Sequence, residues 1–364
     1  MSKFLTTEQR EQSGSDSYNR FEYQVHWIVC HIVDQLDNNS ECIVFCEYHD
    51  DMTELIPEKE EYLFYQIKTK EDSSDWTIAE LSKKEKSKSG GYKKSFLGFI
   101  FYNFLKFGTE CLRCYFVSNN DYDNDIRFWQ SYIEDGKLVY NENTELYQKI
   151  KTRIKNEYTN DLPLDFDRVF DIFIQNTFVC KSELQLSTYE TQTKGMFFEK
   201  ICNMNIPISS ANFIFQQLIN NVRKKSKEKV RLPISRNALL EKKGIQVSQI
   251  KENLTAMSVE KENYADRHRL LMQLGIPNKD IRRIEDSWMK HDLRWSNVND
   301  LKYQEIVITI RKVVASTINK HNTKLEINKF KEKCKQELEK NNLYSDSIDK
   351  SLFEVLLYEY RFTS

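Results

Sequence analysis

The sequence lacks an uncharged apolar run long enough to cross a bilayer, and its polar N-terminal stretch "MSKFLTTEQREQSGSDSYNR" contains no apolar signal core. It also lacks an excess of charge of either sign, because the formal net charge of its 364 residues is -1. A near-neutral chain has no strong overall attraction to nucleic acid or to an anionic membrane, so any contact with a polyanion has to be local. These absences predict a cytoplasmic protein with no membrane partner.

Two catalytic motifs are also missing. There is no G-x-S-x-G elbow of a serine hydrolase and no G-x-x-x-x-G-K-[ST] loop with which to bind ATP, so an ATP-driven motor has to be a separate protein. Cys111 and Cys114 form a C-x-x-C, but no second pair with zinc spacing follows, which favours buried core cysteines. A chain of this size needs no disulfides, so the eight cysteines are predicted to be reduced.

The chain does contain enough apolar material for a packed core, since 40% of its residues are hydrophobic. Between Phe21 and Leu36, apolar residues recur at steps of three and four, which predicts a helix. Cys42–Tyr48 and Leu63–Thr69 are predicted strands, separated by a polar stretch, and an apolar helix over Phe96–Leu105 and a strand over Cys111–Asn119 follow. The predicted order is helix, strand, strand, helix, strand.

After about Asn120 the pattern becomes helical, and the C-terminal region has almost no strand signal. The length exceeds that of a usual single domain, which predicts two. We expect an α/β domain over residues 1–225, with a mixed sheet flanked by helices, and a mainly helical assembly domain over residues 226–364.

Gln66 and Lys68 are polar residues in the otherwise apolar strand Leu63–Thr69. Because side chains alternate along a strand, both are predicted on one face, roughly 6–7 Å apart. An amide and a cation are costly to bury there unless another polar group accompanies them, and Asp50 and Asp51, expected at the end of the preceding strand, can supply it. Carboxylate, amide oxygen and lysine at one sheet edge can hold a hard divalent cation and activate a water molecule.

This order of elements, with an acid at a strand end and an acid-or-Gln-x-Lys motif on the next strand, resembles the PD-(D/E)xK nucleases of the restriction-endonuclease-like class. The resemblance implies that Asp51 is the strand-end acid, Gln66 the second metal ligand and Lys68 the lysine that polarises the attacking water. It also implies Mg²⁺, or Mn²⁺, as the cofactor. Gln66 departs from the commoner Asp or Glu, and the Gln-x-Lys form is familiar in the Mrr-like branch.

The stretches "GSDSYNRFEYQVHWIVCHIV", "VFCEYHDD" and "YQIKTK" are similar, in this order, to the effector nuclease domain of bacterial anti-phage systems. That domain occurs in cyclic-nucleotide-activated CBASS endonucleases and in nucleases encoded beside a HerA-type ATPase. The similarity implies that Gln24, on the first helix, approaches the metal site. Glu47 is an accessory candidate, and which of Glu47, Asp50 and Asp51 bind the metal stays open.

The helical C-terminal part favours the HerA-associated type, because a CBASS endonuclease carries a sensor rich in strands. The predicted function is a metal-dependent anti-phage DNA endonuclease that cuts double-stranded DNA as a homo-oligomer on a hexameric HerA-type ATPase. Alternatives are an autonomous Mrr-like restriction endonuclease, a CBASS-type effector nuclease and a non-catalytic adaptor that retains a nuclease fold. Trp288 and Trp295, which flank "MKHDLR", are candidates for the partner surface.

Two basic clusters, Lys83–Lys94 and Val222–Arg231, are either solvated surface segments or contacts to the DNA backbone. His26, His31 and His49 lie near the candidate site in the sequence. His49 adjoins Asp50 and is either a proton-transfer group or a local hydrogen-bonding group.

Overall fold

The computed structural model describes residues 13–87, 90–159, 162–204, 208–273, 275–295, 301–321, 327–344 and 349–363. These residues form two compact units. One comprises the chain up to Asn203 together with Ile214–Glu252, and the other comprises Met204–Phe213 together with the chain from Asn253 onward. The six strands named below belong to the first unit.

The strands of the first unit form one mixed sheet. Their bounds are β1 Ile43–Tyr48, β2 Asp50–Ile56, β3 Glu61–Lys68, β4 Cys111–Ser118, β5 Thr177–Lys181 and β6 Gly244–Gln246. The strand order across the sheet is β5-β4-β3-β2-β1-β6. Pairing is antiparallel from β6 through β1 and β2 to β3, and parallel from β3 through β4 to β5.

Helices precede, connect and follow these strands. Up to Lys243 they are α1 Ser13–Asn38, α2 Ile78–Leu81, α3 Phe96–Phe107, α4 Asn124–Glu134, α5 Val139–Glu142, α6 Thr144–Glu157, α7 Phe166–Asn176, α8 Tyr189–Ile201, α9 Ile208–Lys227 and α10 Arg236–Lys243. Two short 3-10 helices lie at Gly108–Glu110 and Cys202–Met204. The later helices are α11 Val247–Gln273, α12 Asn278–Trp295, α13 Leu301–His321, α14 Ile327–Lys340 and α15 Lys350–Thr363.

Helices cover both faces of the sheet. On one face, Phe64 of β3 and Phe116 of β4 belong to a hydrophobic cluster with residues of α3, α4, α6 and α7. On the other face, the ring of Tyr65 lies 5.6 Å from that of Trp27 and 5.0 Å from that of His31, both on α1. Neighbouring residues of β3 therefore contact opposite layers, as strand alternation requires. The predicted fold class, a mixed sheet flanked by helices with a helical C-terminal part, is confirmed.

The first helix forms as its apolar spacing predicts. Val25, Ile28, Ile32 and Leu36 are all at most 4% exposed, so the predicted stripe is the face that packs into the unit. The same unit holds Cys111 and Cys114 as buried free thiols on β4, and all eight cysteines of the chain are free. The prediction of reduced core cysteines agrees with this arrangement.

Strand β2 was not predicted, and the prediction that Asp50 and Asp51 end a strand was wrong, because they begin β2. The sequence of β2 looks polar because Glu54, in its middle, is charged. Glu54 is nevertheless only 2% exposed, and its Oε2 lies 2.6 Å from His31 Nε2 on α1. A buried carboxylate with a partner from a distant helix hides the apolar alternation that identifies a strand. Strands β5 and β6 were also missed.

The described residues of the second unit form helices joined by short turns, and two hydrophobic clusters are formed by α11 to α15. Trp288 is only 1% exposed and belongs to one of these clusters, while Trp295 is partly buried against the other. The expectation that Trp288 serves a partner surface was therefore wrong, because its ring fills the core of the unit. No helix among the described residues combines the length and apolar character needed to cross a membrane.

Candidate active site

The candidate site begins at the hairpin between β1 and β2. A single residue, His49, connects the strands, and Tyr48 pairs with Asp50 across it. Both Glu47 and His49 have positive φ, at 50° and 66°, which bends the chain sharply at this point. The turn places Asp50 and Asp51 at the start of β2, next to the end of β3.

Asp51 and Lys68 are in direct contact. Lys68 Nζ donates to Asp51 Oδ2 at 2.7 Å, and the backbone amide of Ile67 donates to the same oxygen at 2.7 Å. The side chains are 14% and 25% exposed, so the ion pair is largely shielded yet reachable from solvent. The structure thus brings together two of the residues that sequence reasoning selected.

Gln66 lies beside this pair. Met52 pairs with Tyr65 in the antiparallel β2–β3 ladder, so Asp51 and Gln66 follow as neighbours on adjacent strands. Gln66 is 6% exposed, and its Oε1 is buried without a hydrogen-bond partner. A buried acceptor without a hydrogen-bond partner costs roughly 1–3 kcal/mol. Such an atom therefore commonly marks a place where a ligand or an ion binds.

Gln24 reaches the same place from α1. Its Nε2 donates to the backbone carbonyl of Ile67 at 3.0 Å, between Gln66 and Lys68. The side chain is part-buried, and it contacts β3 through the amide nitrogen. This contact ties α1 to the strand that carries the Gln-x-Lys motif.

Glu47 is exposed to solvent but surrounded by charged groups. Its pKa is raised to about 7, because the surrounding protein partly desolvates the carboxylate and the negative charge of Asp51 lies nearby, while Lys68 and Lys243 oppose the shift. Lys243, at the end of α10, is 3% exposed, and its Nζ donates to the carbonyl of Ser226 at 3.3 Å. The sequence offered no signal for Lys243, because it lies far along the chain.

Asp50 has a partner that the sequence also did not reveal. Asn103 Nδ2, on α3, donates to Asp50 Oδ2 at 3.1 Å, and the amide of Asp51 donates to Asp50 Oδ1 at 3.2 Å. Burial raises the pKa of Asp50, and the charge of Asp51 adds to this effect. Asn103 is a polar residue in an otherwise apolar helix, and that mismatch was the available signal.

The donor set fits a hard divalent cation. The residues concerned are Asp51, whose two hydrogen bonds both go to Oδ2, and Gln66, whose amide oxygen has no partner. Among the described residues there is no group of three or more His, Cys, Asp or Glu side chains that could hold a metal alone. Mg²⁺ commonly binds to one or two carboxylates and takes its other ligands from water and phosphate, so this sparse set suits it.

A cleft opens beside Lys68. Its volume is about 790 Å³. Its lining residues are Arg20, Gln24, Ile67, Lys68, Thr69, Lys70, Trp76, Glu80, Lys83, Lys84, Glu85, Lys86, Tyr92 and Phe96. The cleft joins the Gln-x-Lys strand to part of the first basic cluster.

The three histidines of the N-terminal region do not form one site. His31 pairs with Glu54 on the α1 side of the sheet, and His49 lies at the hairpin with its ring 4.9 Å from that of Phe107. His26 is buried against Tyr189, with ring centroids 5.0 Å apart. The three histidines therefore lie in three different places: His31 beside Glu54, His49 at the hairpin and His26 in the core.

His26 predicts a pH-dependent stability. Burial lowers its pKa to about 4, although Glu22 opposes the shift. The unfolded chain, with an ordinary pKa of about 6.5, binds the proton more readily, so stability is lost as the pH falls from about 6.5 towards 4. We expect protonation of His26 to lower the free energy of unfolding by about 2 kcal/mol when the pH falls from 7 to 5.

Urea unfolding at several pH values measures this effect. His26→Leu fills the space against Tyr189 with an apolar side chain and removes the titrating group. The variant is therefore expected to lose less stability on acidification than the original chain. Parallel pH profiles for the two proteins would contradict the assignment.

Comparison with known proteins adds an independent observation. The family model described as "Cap4, dsDNA endonuclease domain" matches residues 12–226. A solved structure, that of the Moraxella osloensis Cap4 SAVED/CARF-domain containing receptor, is similar at 15% identity over 57% of this chain, with a TM-score of 0.35. The match covers 43% of the receptor, so the chain spans less than half of its length. No curated protein matches the sequence.

Proposed function

Because the chain belongs to the family of Cap4 double-stranded DNA endonuclease domains over residues 12–226, we propose that it is a metal-dependent endonuclease effector of bacterial anti-phage defence. The substrate is double-stranded DNA, and the place of action is the cytoplasm, where phage DNA enters. The observation that carries the proposal is the 2.7 Å contact between Lys68 and Asp51 beside the unpartnered amide oxygen of Gln66.

In this proposal, Asp51 and Gln66 hold Mg²⁺ or Mn²⁺. A divalent cation bound there supplies positive charge against the phosphate and acidifies a water molecule. Asp51 is held in place by Lys68 and by the Ile67 amide, so its orientation is set before substrate arrives. Gln24 holds β3 in place through its hydrogen bond to the Ile67 carbonyl, which makes it a positioning residue.

Lys68 is the group that meets the phosphate. Water attacks phosphorus, the new P–O bond forms as the bond to the leaving oxygen breaks, and negative charge grows on the phosphate oxygens. A preorganised ammonium group stabilises that charge and typically accounts for about 10²–10³ in rate. Glu47, with a pKa of about 7, can accept the proton of the attacking water near neutral pH.

We further propose that several copies assemble on a hexameric HerA-type ATPase. The described part of the second unit is built from helices, and helices with amphipathic faces are common protein-binding elements. The near-neutral chain, with a net charge of -1, gains little affinity for DNA from its overall charge. Tethering on a ring around DNA raises the effective concentration of the nuclease without changing its own contacts.

Plasmid cleavage with and without the product of the neighbouring gene tests the proposal. We expect the isolated chain to cut slowly at physiological salt, because non-specific dissociation constants are then roughly 10⁻⁴–10⁻⁶ M. The co-expressed complex, separated by size, is expected to cut rapidly with Mg²⁺ and to stop in EDTA.

Each alternative gives a different result in the same assay. Rapid cleavage by the isolated chain indicates an autonomous restriction endonuclease, and cleavage only after addition of cyclic oligonucleotides indicates a CBASS-type effector. Failure to cut with Mg²⁺ or Mn²⁺ in every combination indicates an adaptor. The full chain is needed, since β6 pairs with β1 through Ile43 and Gln246, and removal of the region from residue 226 onward would damage the sheet.

A further inference from the structure

The cleft beside Lys68 contains more cationic side chains than the proposed cleavage reaction requires. Six of its lining residues are cations, and two, Glu80 and Glu85, are acids. The chain as a whole has a net charge of -1, so this concentration is local. A concave surface of one sign focuses the electrostatic potential and attracts a ligand of the opposite sign.

Half of these cations are already neutralised. Three have a carboxylate partner at 3.2 Å or less: Arg20 with Glu71, Lys68 with Asp51 and Lys70 with Glu80. The other three, which we call the lysine triplet, are Lys83, Lys84 and Lys86. All three are exposed, and no ion pair in the described part of the chain involves them.

The backbone that carries the lysine triplet is anchored at its start. Helix α2 ends at Leu81, and its N-terminus is closed by a capping box between Thr77 and Glu80. Ile78 and Leu81 are buried in the core cluster on the α3 side of the sheet. Because the helix is fixed from below, the lysines that follow it emerge at a defined place on the wall of the cleft.

A short antiparallel pairing holds the far side of the segment. Lys86 forms an isolated bridge with Tyr92, and the amide of Lys93 donates to the carbonyl of Glu85 at 2.8 Å. Tyr92 is 66% exposed although it lines the cleft. An exposed aromatic ring beside unpaired lysines combines a stacking surface with phosphate-binding groups, as in proteins that hold single strands.

We propose that this cleft holds one strand of the DNA as it approaches Lys68. The lysine triplet binds successive phosphates, and Tyr92 stacks on a base of the same strand. The inference rests on the proposed nuclease function and adds the substrate path to it. Because a base inside a duplex does not offer its face to Tyr92, the stacking contact requires the double-stranded substrate to open locally at the cleft, so an isolated single strand is expected to bind there more tightly than an intact duplex.

Binding in EDTA separates this inference from the cleavage reaction. The probes are a fluorescent single-stranded oligonucleotide and its duplex, titrated with the full chain at several salt concentrations. Changing Lys83, Lys84 and Lys86 together to alanine is expected to weaken single-strand binding about tenfold or more at low salt. The slope of log K against log salt should become shallower by about 2, since each lost phosphate contact removes roughly 0.7 on single strands.

A matched triple variant controls for net charge. Lys59, Lys155 and Lys194 are exposed lysines outside the cleft, and their change to alanine removes the same charge. This variant should keep the salt slope of the original chain. Equal losses in both triple variants would overturn the assignment of the lysine triplet.

Tyr92 is tested separately. Tyr92→Ala is expected to weaken single-strand binding roughly tenfold without changing the salt slope, and Tyr92→Phe to bind like the original chain. The loss should be smaller for the duplex. An unchanged affinity of Tyr92→Ala for the single strand would overturn the stacking contact.

Different results would overturn the nuclease function and the strand-binding cleft. If the original chain cuts DNA with Mg²⁺ but the lysine-triplet variant binds DNA normally in EDTA, the cleft assignment is wrong and the nuclease function stands. If the original chain binds through the triplet but never cuts, the nuclease function is wrong and the strand-binding cleft stands.

Discussion

Lys68→Ala is expected to lower the rate of DNA cleavage by about 10²–10³ at saturating metal, because it removes the ammonium group that stabilises charge on the phosphate. Its thermal midpoint should change little. Asp51 loses one hydrogen bond but keeps that from the Ile67 amide, and because this shielded pair is still reachable from solvent, water can take the place of the lost ammonium group. The measurement is single-turnover plasmid cleavage by the complex, paired with thermal unfolding.

Asp51→Asn belongs to the same test. The amide is almost the same size and can still accept from the Ile67 amide, but it has no negative charge to offer a metal or Lys68. We expect a loss of cleavage at least as large as for Lys68→Ala. Lys59→Ala is the control, since Lys59 is an exposed lysine outside the cleft. Full activity in either site variant would remove that residue from the catalytic machinery.

Gln66→Leu is expected to reduce metal affinity roughly tenfold to a hundredfold and to stop cleavage at low metal concentration, because it removes a buried ligand oxygen. The same change should maintain or raise stability. Gln66 Oε1 is buried without a partner, and replacing an unmet polar group with an apolar one of similar size removes its desolvation cost. This opposite movement of stability and activity distinguishes a ligand from a residue needed for packing.

Gln66→Glu provides the matched comparison. A carboxylate is a stronger ligand for Mg²⁺ than an amide, so this variant should keep or tighten metal binding. Calorimetric titration with Mn²⁺ measures the affinity of the three proteins. Equal affinities in the original chain and both variants would exclude Gln66 as a metal ligand.

The sequence was sufficient to predict the elements in which apolar residues recur at regular spacing. The spacing of Val25, Ile28 and Ile32 predicted α1, and these residues are at most 1% exposed in the structure. The alternation in β3 predicted that Gln66 and Lys68 share a face. The motif also selected Asp51, and its contact with Lys68 agrees with that selection, while the catalytic and metal-binding roles stay predictions.

Sequence by itself therefore determined the class of the fold, the Gln-x-Lys strand and the acid that accompanies it. Only the tertiary structure decided that Asp50 and Asp51 begin a strand, that Trp288 fills a core, and that the lysines after α2 line a cleft with Lys68. The physical reason is that periodicity records which face of an element is buried, but it does not record what a distant part of the chain places against that face. Glu54 illustrates this, because its burial depends on His31, a residue on another element.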